Sequence, residues 1–203
     1  GLGACASASV EQDVELTVNP RGSVQAGTNM VACEGNPYTF NNGASIANVE
    51  NIRWEWNGTG SITAGQGTMT PTYTPGVGEN GTVTFTLLAD EISPCIDTLS
   101  DTVTLELIPN PEVNAGSDFT TCAGDVNLSG LVSNASSFEW SGGNGTFTPG
   151  NTVSLNPTYS PTPQELDLGS VTIVLTAQPN NPCATPKSSS VTITFEAAPT
   201  VDA

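Results

Sequence analysis

The chain contains no histidine and very few cations. Only Arg21, Arg53 and Lys187 are basic, against twenty acidic residues, so the formal net charge of the 203-residue chain is −17. This charge repels phosphate backbones and anionic lipid head groups, so we expect neither nucleic-acid partners nor direct membrane insertion. Histidine, the commonest general base, is missing, and the scattered carboxylates form no pair at a spacing suited to acid–base catalysis. We therefore expect a protein that is not an enzyme.

Long apolar runs are also missing. No stretch approaches the roughly 18 apolar residues that a membrane span requires. The sequence opens at Gly1 without the pattern of a signal peptide, so we expect an export signal and any anchor to lie outside it. Five cysteines among abundant Thr, Ser, Asn and Gly indicate an oxidising environment. The expected location is extracellular, at the cell surface.

The strongest pattern present is an internal repeat. Two stretches of the sequence align along their full length, and matching positions recur at offsets of 84 to 89 residues. The pairs that define the alignment are Cys33 with Cys122, Trp56 with Trp140, Tyr73 with Tyr159, and Cys95 with Cys183. The alignment predicts one repeat over 20–108 and another over 109–197. It also predicts that 1–19 is the last strand of a preceding repeat and that 198–203 begins a following one.

Each repeat shows the alternation of short β-strands. Residues 82–87 (TVTFTL) and 191–195 (VTITF) alternate polar and apolar side chains, and turn-forming clusters separate such runs. About seven short strands in roughly 90 residues predict an all-β fold of tandem immunoglobulin-like β-sandwich domains. The Pro-Thr-Tyr-Thr/Ser-Pro segments at 71–75 and 157–161 are predicted to be edge strands or loops, because proline cannot donate to a sheet.

The cysteines are predicted to form one disulfide within each repeat, Cys33–Cys95 and Cys122–Cys183. Metal binding is the alternative, but zinc ligation has little support without histidine or a CxxC motif. We expect no metal site on these grounds. Cys5 would then pair outside the sequence, in the missing part of the preceding repeat.

Two aromatic positions and two carboxylates complete the candidate residues. Trp56 and Trp140 are predicted to be core aromatics, with a carbohydrate-stacking surface as the alternative if their rings are exposed. No cofactor is expected. Calcium at the junctions between repeats, approached by Asp118 or Asp125, is the one metal alternative, although the DxDxDG calcium loop is absent.

The order and spacing of several short motifs resemble a known family. They are the segments 113–122 (VNAGSDFTTC), 128–130 (LSG), 139–147 (EWSGGNGTF), 157–161 (PTYSP), 169–177 (GSVTIVLTA) and 181–183 (NPC). The chain resembles the tandem immunoglobulin-like or PKD-like repeats of giant Bacteroidota cell-surface adhesins, most of all gliding-motility adhesins of the SprB kind. The WDFGDG-type core of PKD domains is missing, since Ser-Gly-Gly follows Trp140. The resemblance implies type IX secretion and O-glycosylation at Asp-Thr-aliphatic triplets, which here contain Thr98 and Thr102.

The expected function is mechanical. The repeats would form a rigid spacer, held by disulfides, in a long cell-surface adhesin fibre that serves surface attachment and gliding motility. Expected partners are the neighbouring repeats of the same chain and a surface polysaccharide or substratum. The alternatives are a subunit of a polymerised extracellular filament, in which 1–19 would be an exchanged strand, and an accessory module of a secreted hydrolase.

Overall fold

A computed structural model describes residues 11–122 and 124–196, and its regular structure is almost entirely β-strand. The first group of strands is β1 (Ser23–Gln25), β2 (Met30–Cys33), β3 (Tyr38–Thr39), β4 (Ser45–Ala47), β5 (Val49–Trp56), β6 (Ser61–Ala64), β7 (Thr72–Thr74), β8 (Gly81–Glu91) and β9 (Thr98–Ile108). The second group is β10 (Glu112–Asn114), β11 (Phe119–Cys122), β12 (Val126–Asn127), β13 (Leu131–Ser133), β14 (Ala135–Ser141), β15 (Thr146–Thr148), β16 (Thr158–Ser160), β17 (Ser170–Pro179) and β18 (Lys187–Glu196). A short helix, α1 (Pro163–Leu168), precedes β17.

The two groups of strands form sheets of the same topology. In the first group the order is β2-β9-β8-β5 in a four-stranded sheet and β3-β7-β6 in a three-stranded one, with β1 paired to β4. In the second group the orders are β11-β18-β17-β14 and β12-β16-β15, with β10 paired to β13. The strand pairs are antiparallel except β2 with β9 and β11 with β18, which run parallel. We call the β1–β9 unit the first sandwich and the β10–β18 unit the second.

The core of each sandwich lies between its sheets, as period-two alternation requires. On β8, Val83, Phe85, Leu87 and Ala89 are buried, whereas the threonines between them are partly exposed. Tyr73 from β7 meets Phe85 edge to face, with ring centroids 4.9 Å apart, and so joins the three-stranded sheet to the four-stranded one. Such aromatic pairs contribute about 0.5–1.5 kcal/mol beyond their buried area. The prediction of an all-β, immunoglobulin-like sandwich fold is confirmed.

The strand prediction for 71–75 and 157–161 is wrong in one respect. β7 and β16 are the central strands of their three-stranded sheets and not edge strands. The paired residues are Thr72–Thr74 and Thr158–Ser160, and the prolines lie just outside them. Because each proline flanks the hydrogen-bonded residues, the sheet loses no donor.

Helix α1 is stabilised by its capping residues, although its sequence shows no helical periodicity. Thr162 caps its N-terminus by accepting from the Glu165 N–H, and the Glu165 side chain accepts from the Thr162 N–H, which completes a capping box. Pro163 at the first helical position suits the fixed φ of proline. Gly169 ends the helix with φ 79°, a left-handed conformation that glycine adopts without strain.

Candidate functional site at the repeat junction

The chain enters each sandwich at one end and leaves it at the other. At the upstream end of the first sandwich, the Asn19 amide donates to the Ser93 carbonyl at 3.2 Å and the Gly22 N–H donates to Glu91 at 3.0 Å. Glu91 is the last residue of β8, and Ser93 lies in the β8–β9 loop that follows it. The downstream end is where β9 stops at Ile108. The second sandwich begins only a few residues later, at Glu112, so the two are joined in series.

This arrangement separates the cysteines of one sandwich. Cys33 ends β2, which runs parallel to β9 and pairs there with Ile108, so Cys33 lies at the downstream end. Cys95 lies in the β8–β9 loop at the upstream end. The eleven residues of β9 span about 33 Å at about 3.3 Å per residue. A disulfide requires Cα atoms within about 7 Å. The predicted Cys33–Cys95 bond is therefore wrong.

The second sandwich repeats the separation. Cys122 ends β11 and pairs with Glu196, the last residue of β18, whereas Cys183 lies in the β17–β18 loop. The predicted Cys122–Cys183 bond is wrong for the same reason, because the full length of β18 lies between the two residues.

The disulfide that the structure contains joins the two sandwiches. Cys33 and Cys183 are bonded with an S–S distance of 1.96 Å and a Cα–Cα distance of 5.0 Å, across 150 positions of sequence. The downstream end of the first sandwich is thus covalently linked to the upstream loop of the second. Cys95 and Cys122 are free thiols in the described part of the chain, Cys95 partly buried and Cys122 exposed. Cys5 lies outside the described residues.

Hydrogen bonds reinforce the same junction. The Glu34 N–H donates to the Ile108 carbonyl at 2.9 Å, which extends the β2–β9 pairing by one residue. The Glu34 carboxylate accepts from the Asn110 N–H at 3.0 Å and from the Asn110 side-chain amide at 3.1 Å. Hydrogen bonds to a charged acceptor contribute about 1.5–3 kcal/mol each when shielded from water. Pro109 and Pro111 flank Asn110 and fix φ on either side of it. The connection is therefore restrained by backbone, side-chain and covalent contacts together.

A hydrogen-bonded tyrosine–glutamate pair with a buried tyrosine recurs in each sandwich and was missed in the sequence. The Tyr73 hydroxyl contacts both Glu79 carboxylate oxygens, at 3.0 and 2.9 Å, and accepts from the Gly60 N–H. The Tyr159 hydroxyl donates to Glu165 at 2.7 Å. The signal was available, because the two residues of each pair are six positions apart in both repeats. These pairs close loops of the sandwich and are structural.

The pKa values of these pairs reflect their surroundings. Burial, with help from the neighbouring carboxylate, raises the pKa of Tyr73 to about 12, and the same causes raise that of Tyr159 to about 12. Burial by itself would raise the pKa of Glu79, but hydrogen bonds from the Gly76 N–H and the Tyr73 hydroxyl outweigh it and leave this pKa lowered. The pKa of Glu165 is lowered in the same way, with burial opposed by donors from Thr162 and the Asn144 N–H.

The tryptophans form part of the core, with one correction to the alignment. Trp140 is fully buried, and its partner on β17 is Leu175. The residue in the matching place of the first sandwich is Trp54, which is 1% exposed and pairs with Leu87. Trp56, predicted to match Trp140, is only partly buried against the core and donates from Nε1 to the Gly60 carbonyl. The shift by two residues keeps the same face of the strand, which is why alternation could not detect it.

The threonines of the proposed glycosylation triplets lie on the outward face of β9. Thr98 and Thr102 are both exposed. The Thr98 hydroxyl donates to Asp90 at 2.8 Å, and this bond is the main cause of the lowered pKa of Asp90, which Arg53 also contacts at 3.4 Å. Both hydroxyls can therefore be reached by a modifying enzyme, and their glycosylation stays a prediction.

The carboxylates considered for calcium do not form a cluster. Asp118 accepts from the Thr192 N–H at 2.7 Å within the second sandwich. In the first sandwich, Asn29 makes the equivalent contact by accepting from the Thr104 N–H. Asp125 is exposed. Over residues 11–122 and 124–196, no group of three His, Cys, Asp or Glu side chains is placed to hold a metal ion. In the same residues, no helix is long and apolar enough to cross a membrane.

Comparisons with known proteins identify the fold. No protein-family model matches the chain, and no curated protein matches it. Among solved structures, mouse cadherin-23 EC22-24 aligns with a TM-score of 0.50 and 14% identity, over 86% of this chain and 64% of that one. The insect immune protein hemolin aligns with a TM-score of 0.48 and 12% identity, over 84% of this chain and 45% of that one. The chain thus spans between about half and two thirds of the length of these structures. At such identities the likeness concerns the fold alone.

Proposed function

We propose that the chain is a non-enzymatic segment of a long extracellular adhesion fibre, in which repeats 20–108 and 109–197 act as a rigid spacer. The observation that carries the proposal is the Cys33–Cys183 bond, because it joins consecutive sandwiches end to end. A bond in this place does little for the core of either sandwich. Its physical effect is to fix the distance and angle between neighbours, which is what a spacer requires.

Residues 11–19 support a longer array. Their side chains are exposed, and three apolar ones alternate along the segment: Val14 at 88%, Leu16 at 82% and Val18 at 79%. The aligned side chains of β9 are fully buried: Val103, Leu105 and Leu107. A segment with the pattern of a final strand but no sandwich around it fits the tail of a preceding repeat. The opening residues of that tail and the start of the next repeat, at 198–203, lie outside the described residues.

The disulfide and the net charge of the chain indicate where this fibre would be located and what it would contact. A disulfide between domains persists in an oxidising compartment, which supports an extracellular, cell-surface location. The net charge of −17 would keep parallel fibres apart and soluble. The direct partners would be neighbouring repeats of the same chain, and a surface polysaccharide or substratum would be bound elsewhere along the fibre. Gliding motility and type IX secretion rest on the family resemblance of the sequence.

A polymerised filament is the second candidate, and the exposed side chains of 11–19 are the observation that favours it. In a filament this segment would complete a sandwich of another copy by strand addition. Sedimentation of the chain over a range of concentrations separates the two proposals. A spacer segment stays monomeric, whereas a filament subunit forms head-to-tail oligomers that are lost when 1–19 is removed.

Single-molecule stretching of the oxidised and reduced chain tests the spacer proposal. Tension applied to the two ends passes through the disulfide, so the loop that it closes, with a sequence separation of 150, bears no load. Reduction should release roughly 500 Å of additional contour length at about 3.4 Å per residue over this separation. The oxidised double variant Cys33→Ser/Cys183→Ser is the matched control and should extend as far as the reduced chain. Equal extension of the oxidised and reduced wild type would contradict the proposal.

A further inference from the structure

We propose that Cys95 and Cys122 each form a disulfide to an adjacent repeat, in the same way as Cys33 bonds to Cys183. Cys122 would pair with the cysteine of the following repeat that matches Cys183. Cys95 would pair with the cysteine of the preceding repeat that matches Cys33. The inference rests on the proposed function, because it requires a tandem array on both sides of the two described sandwiches.

The first step is the equivalence of the two downstream cysteines. Cys33 ends β2 opposite Ile108, the last residue of β9. Cys122 ends β11 opposite Glu196, the last residue of β18. Both strands run parallel to the final strand of their sandwich and stop level with its last residue. Cys122 therefore lies where the chain leaves the second sandwich, as Cys33 does in the first.

The second step is the equivalence of the two upstream cysteines. Cys95 and Cys183 both lie in the loop between the last two strands of their sandwiches. In each loop the cysteine N–H closes a turn by donating three residues back, to Ile92 at 3.2 Å and to Asn180 at 2.9 Å. The two thiol positions are thus built by the same local backbone. One of them is already used in a disulfide to a neighbour.

The third step is the position of the incoming chain beside Cys95. A cavity at the upstream end of the first sandwich is lined by Cys95 together with Asn19, Pro20 and Ile92. In the second sandwich the Cys183 sulfur lies 3.4 Å from the Ile108 carbonyl oxygen, just before the residues that connect the sandwiches. Asn19 aligns with Ile108, so Cys95 has the same relation to its incoming segment as Cys183 has to its own. A preceding sandwich would bring its downstream cysteine to this place.

The chemistry of each additional bond is an oxidation of two thiols. Two S–H bonds and the S–S bond of an external disulfide oxidant break, one S–S bond forms between the repeats, and the two protons and two electrons pass to the oxidant, which becomes its dithiol by thiol–disulfide exchange. An extracytoplasmic disulfide oxidant is therefore a required co-reactant. The product is an array in which every repeat is cross-linked to both neighbours.

The consequence is mechanical. In the two described sandwiches, only one downstream cysteine is bonded, so tension runs along β1 and β2 of the first sandwich, across Cys33–Cys183, and along β18 of the second. With Cys122 bonded onward, every junction of the array would carry a covalent bridge in parallel with its short connection. No single domain could then unfold to its full contour length without a disulfide breaking.

A chain lengthened by one of its own repeats tests the inference. A second copy of 109–197 is inserted after residue 197 of the full chain, and the protein is oxidised with a disulfide oxidant. It is then alkylated without reduction, digested and mapped by mass spectrometry. We expect a peptide linking Cys122 to the inserted equivalent of Cys183, loss of alkylation at Cys122, and an unchanged Cys33–Cys183 peptide. The unlengthened chain, in which Cys122 is alkylated, is the control.

Two variants make the outcome specific. Cys122→Ser in the lengthened chain should leave the inserted equivalent of Cys183 open to alkylation, whereas Cys33→Ser should free Cys183 and leave the new bond in place. Alkylation of Cys122 in the lengthened chain, with Cys33–Cys183 intact, would overturn the inference and leave the spacer proposal standing. Loss of both linked peptides would overturn the spacer proposal as well.

Discussion

The two sandwiches have the same topology, yet they differ in how each holds its tyrosine–glutamate pair. In the first, Glu79 lies in an irregular loop and is partly open to water, where it accepts from the Thr59 and Gly76 N–H groups. In the second, Glu165 belongs to a capped helical turn and is 3% exposed. The chemical contact is the same in both, but its shielding from water differs. The comparison teaches that the contact is constrained by the fold, whereas the local backbone that supplies it is not.

The largest effects should come from the equivalent tryptophans. Trp54→Ala and Trp140→Ala each remove a fully buried indole, and each should destabilise its own sandwich by about 3–5 kcal/mol. Trp56→Ala, the control, removes a partly exposed ring and should cost roughly 1–2 kcal/mol. Urea unfolding followed by circular dichroism measures the three values. A Trp56 variant as unstable as the Trp140 variant would restore the alignment of Trp56 with Trp140.

Substituting the more deeply buried glutamate, Glu165, should cost more stability than substituting Glu79. Glu165→Gln removes a charged acceptor from a nearly dry site and should destabilise the second sandwich by about 2–3 kcal/mol. Glu79→Gln should cost the first sandwich about 1 kcal/mol, because water reaches this carboxylate and replaces part of the lost contact. Denaturant midpoints of the two variants give the comparison. Equal losses would mean that helix α1 adds no shielding.

The pH dependence of stability should involve both pairs at both extremes. The pKa of Tyr73 and Tyr159 is about 12 in the folded chain against 10.0 for a free tyrosine, so their contribution is complete below pH 10 and is lost as pH rises towards 12. The pKa of Glu79 and Glu165 is lowered, so their contribution is present above pH 4.5 and is lost as pH falls through the folded pKa. Melting temperatures across this range give the profile.

Matched phenylalanine variants assign the alkaline part of that profile. Tyr73→Phe and Tyr159→Phe should each remove one component of the tyrosinate absorbance change above pH 10 and flatten the stability loss of the corresponding sandwich. Tyrosinate formation in the wild type at the ordinary pKa of 10.0 would contradict the buried geometry of both pairs.

The smallest effect should come from the junction. Asn110→Ala removes the side-chain amide that donates to Glu34 and keeps the backbone N–H contact, so we expect about 0.7 kcal/mol less stabilisation of the docked arrangement, equivalent to a roughly threefold easier reduction of Cys33–Cys183. Titration with a glutathione redox buffer measures this equilibrium. Asn36→Ala, in the exposed turn after Glu34, is a nearby control that should leave it unchanged. An unaltered equilibrium in the Asn110 variant would mean that the disulfide alone fixes the junction.

Much of the fold could be predicted from the sequence, because both the alternation of β-strands and the internal repeat are visible in the order of residues along the chain. The disulfides could not, since spacing along the chain does not reveal that β2 runs parallel to β9 and carries Cys33 away from Cys95. The match of Trp56 to Trp140 failed because a slip of two residues preserves the alternation. The place of Thr72–Thr74 in the middle of a sheet was hidden because its flanking prolines resemble those of an edge strand.

The pairing of the cysteines tests the central claim most directly. Digestion of the oxidised, alkylated chain without reduction, followed by mass spectrometry, should yield one peptide pair that contains Cys33 and Cys183, with Cys95 and Cys122 alkylated. That result would establish the covalent joint between consecutive sandwiches on which the spacer proposal depends. Peptides that link Cys33 to Cys95 and Cys122 to Cys183 would contradict it, and each sandwich would then be an independent domain on a short connection.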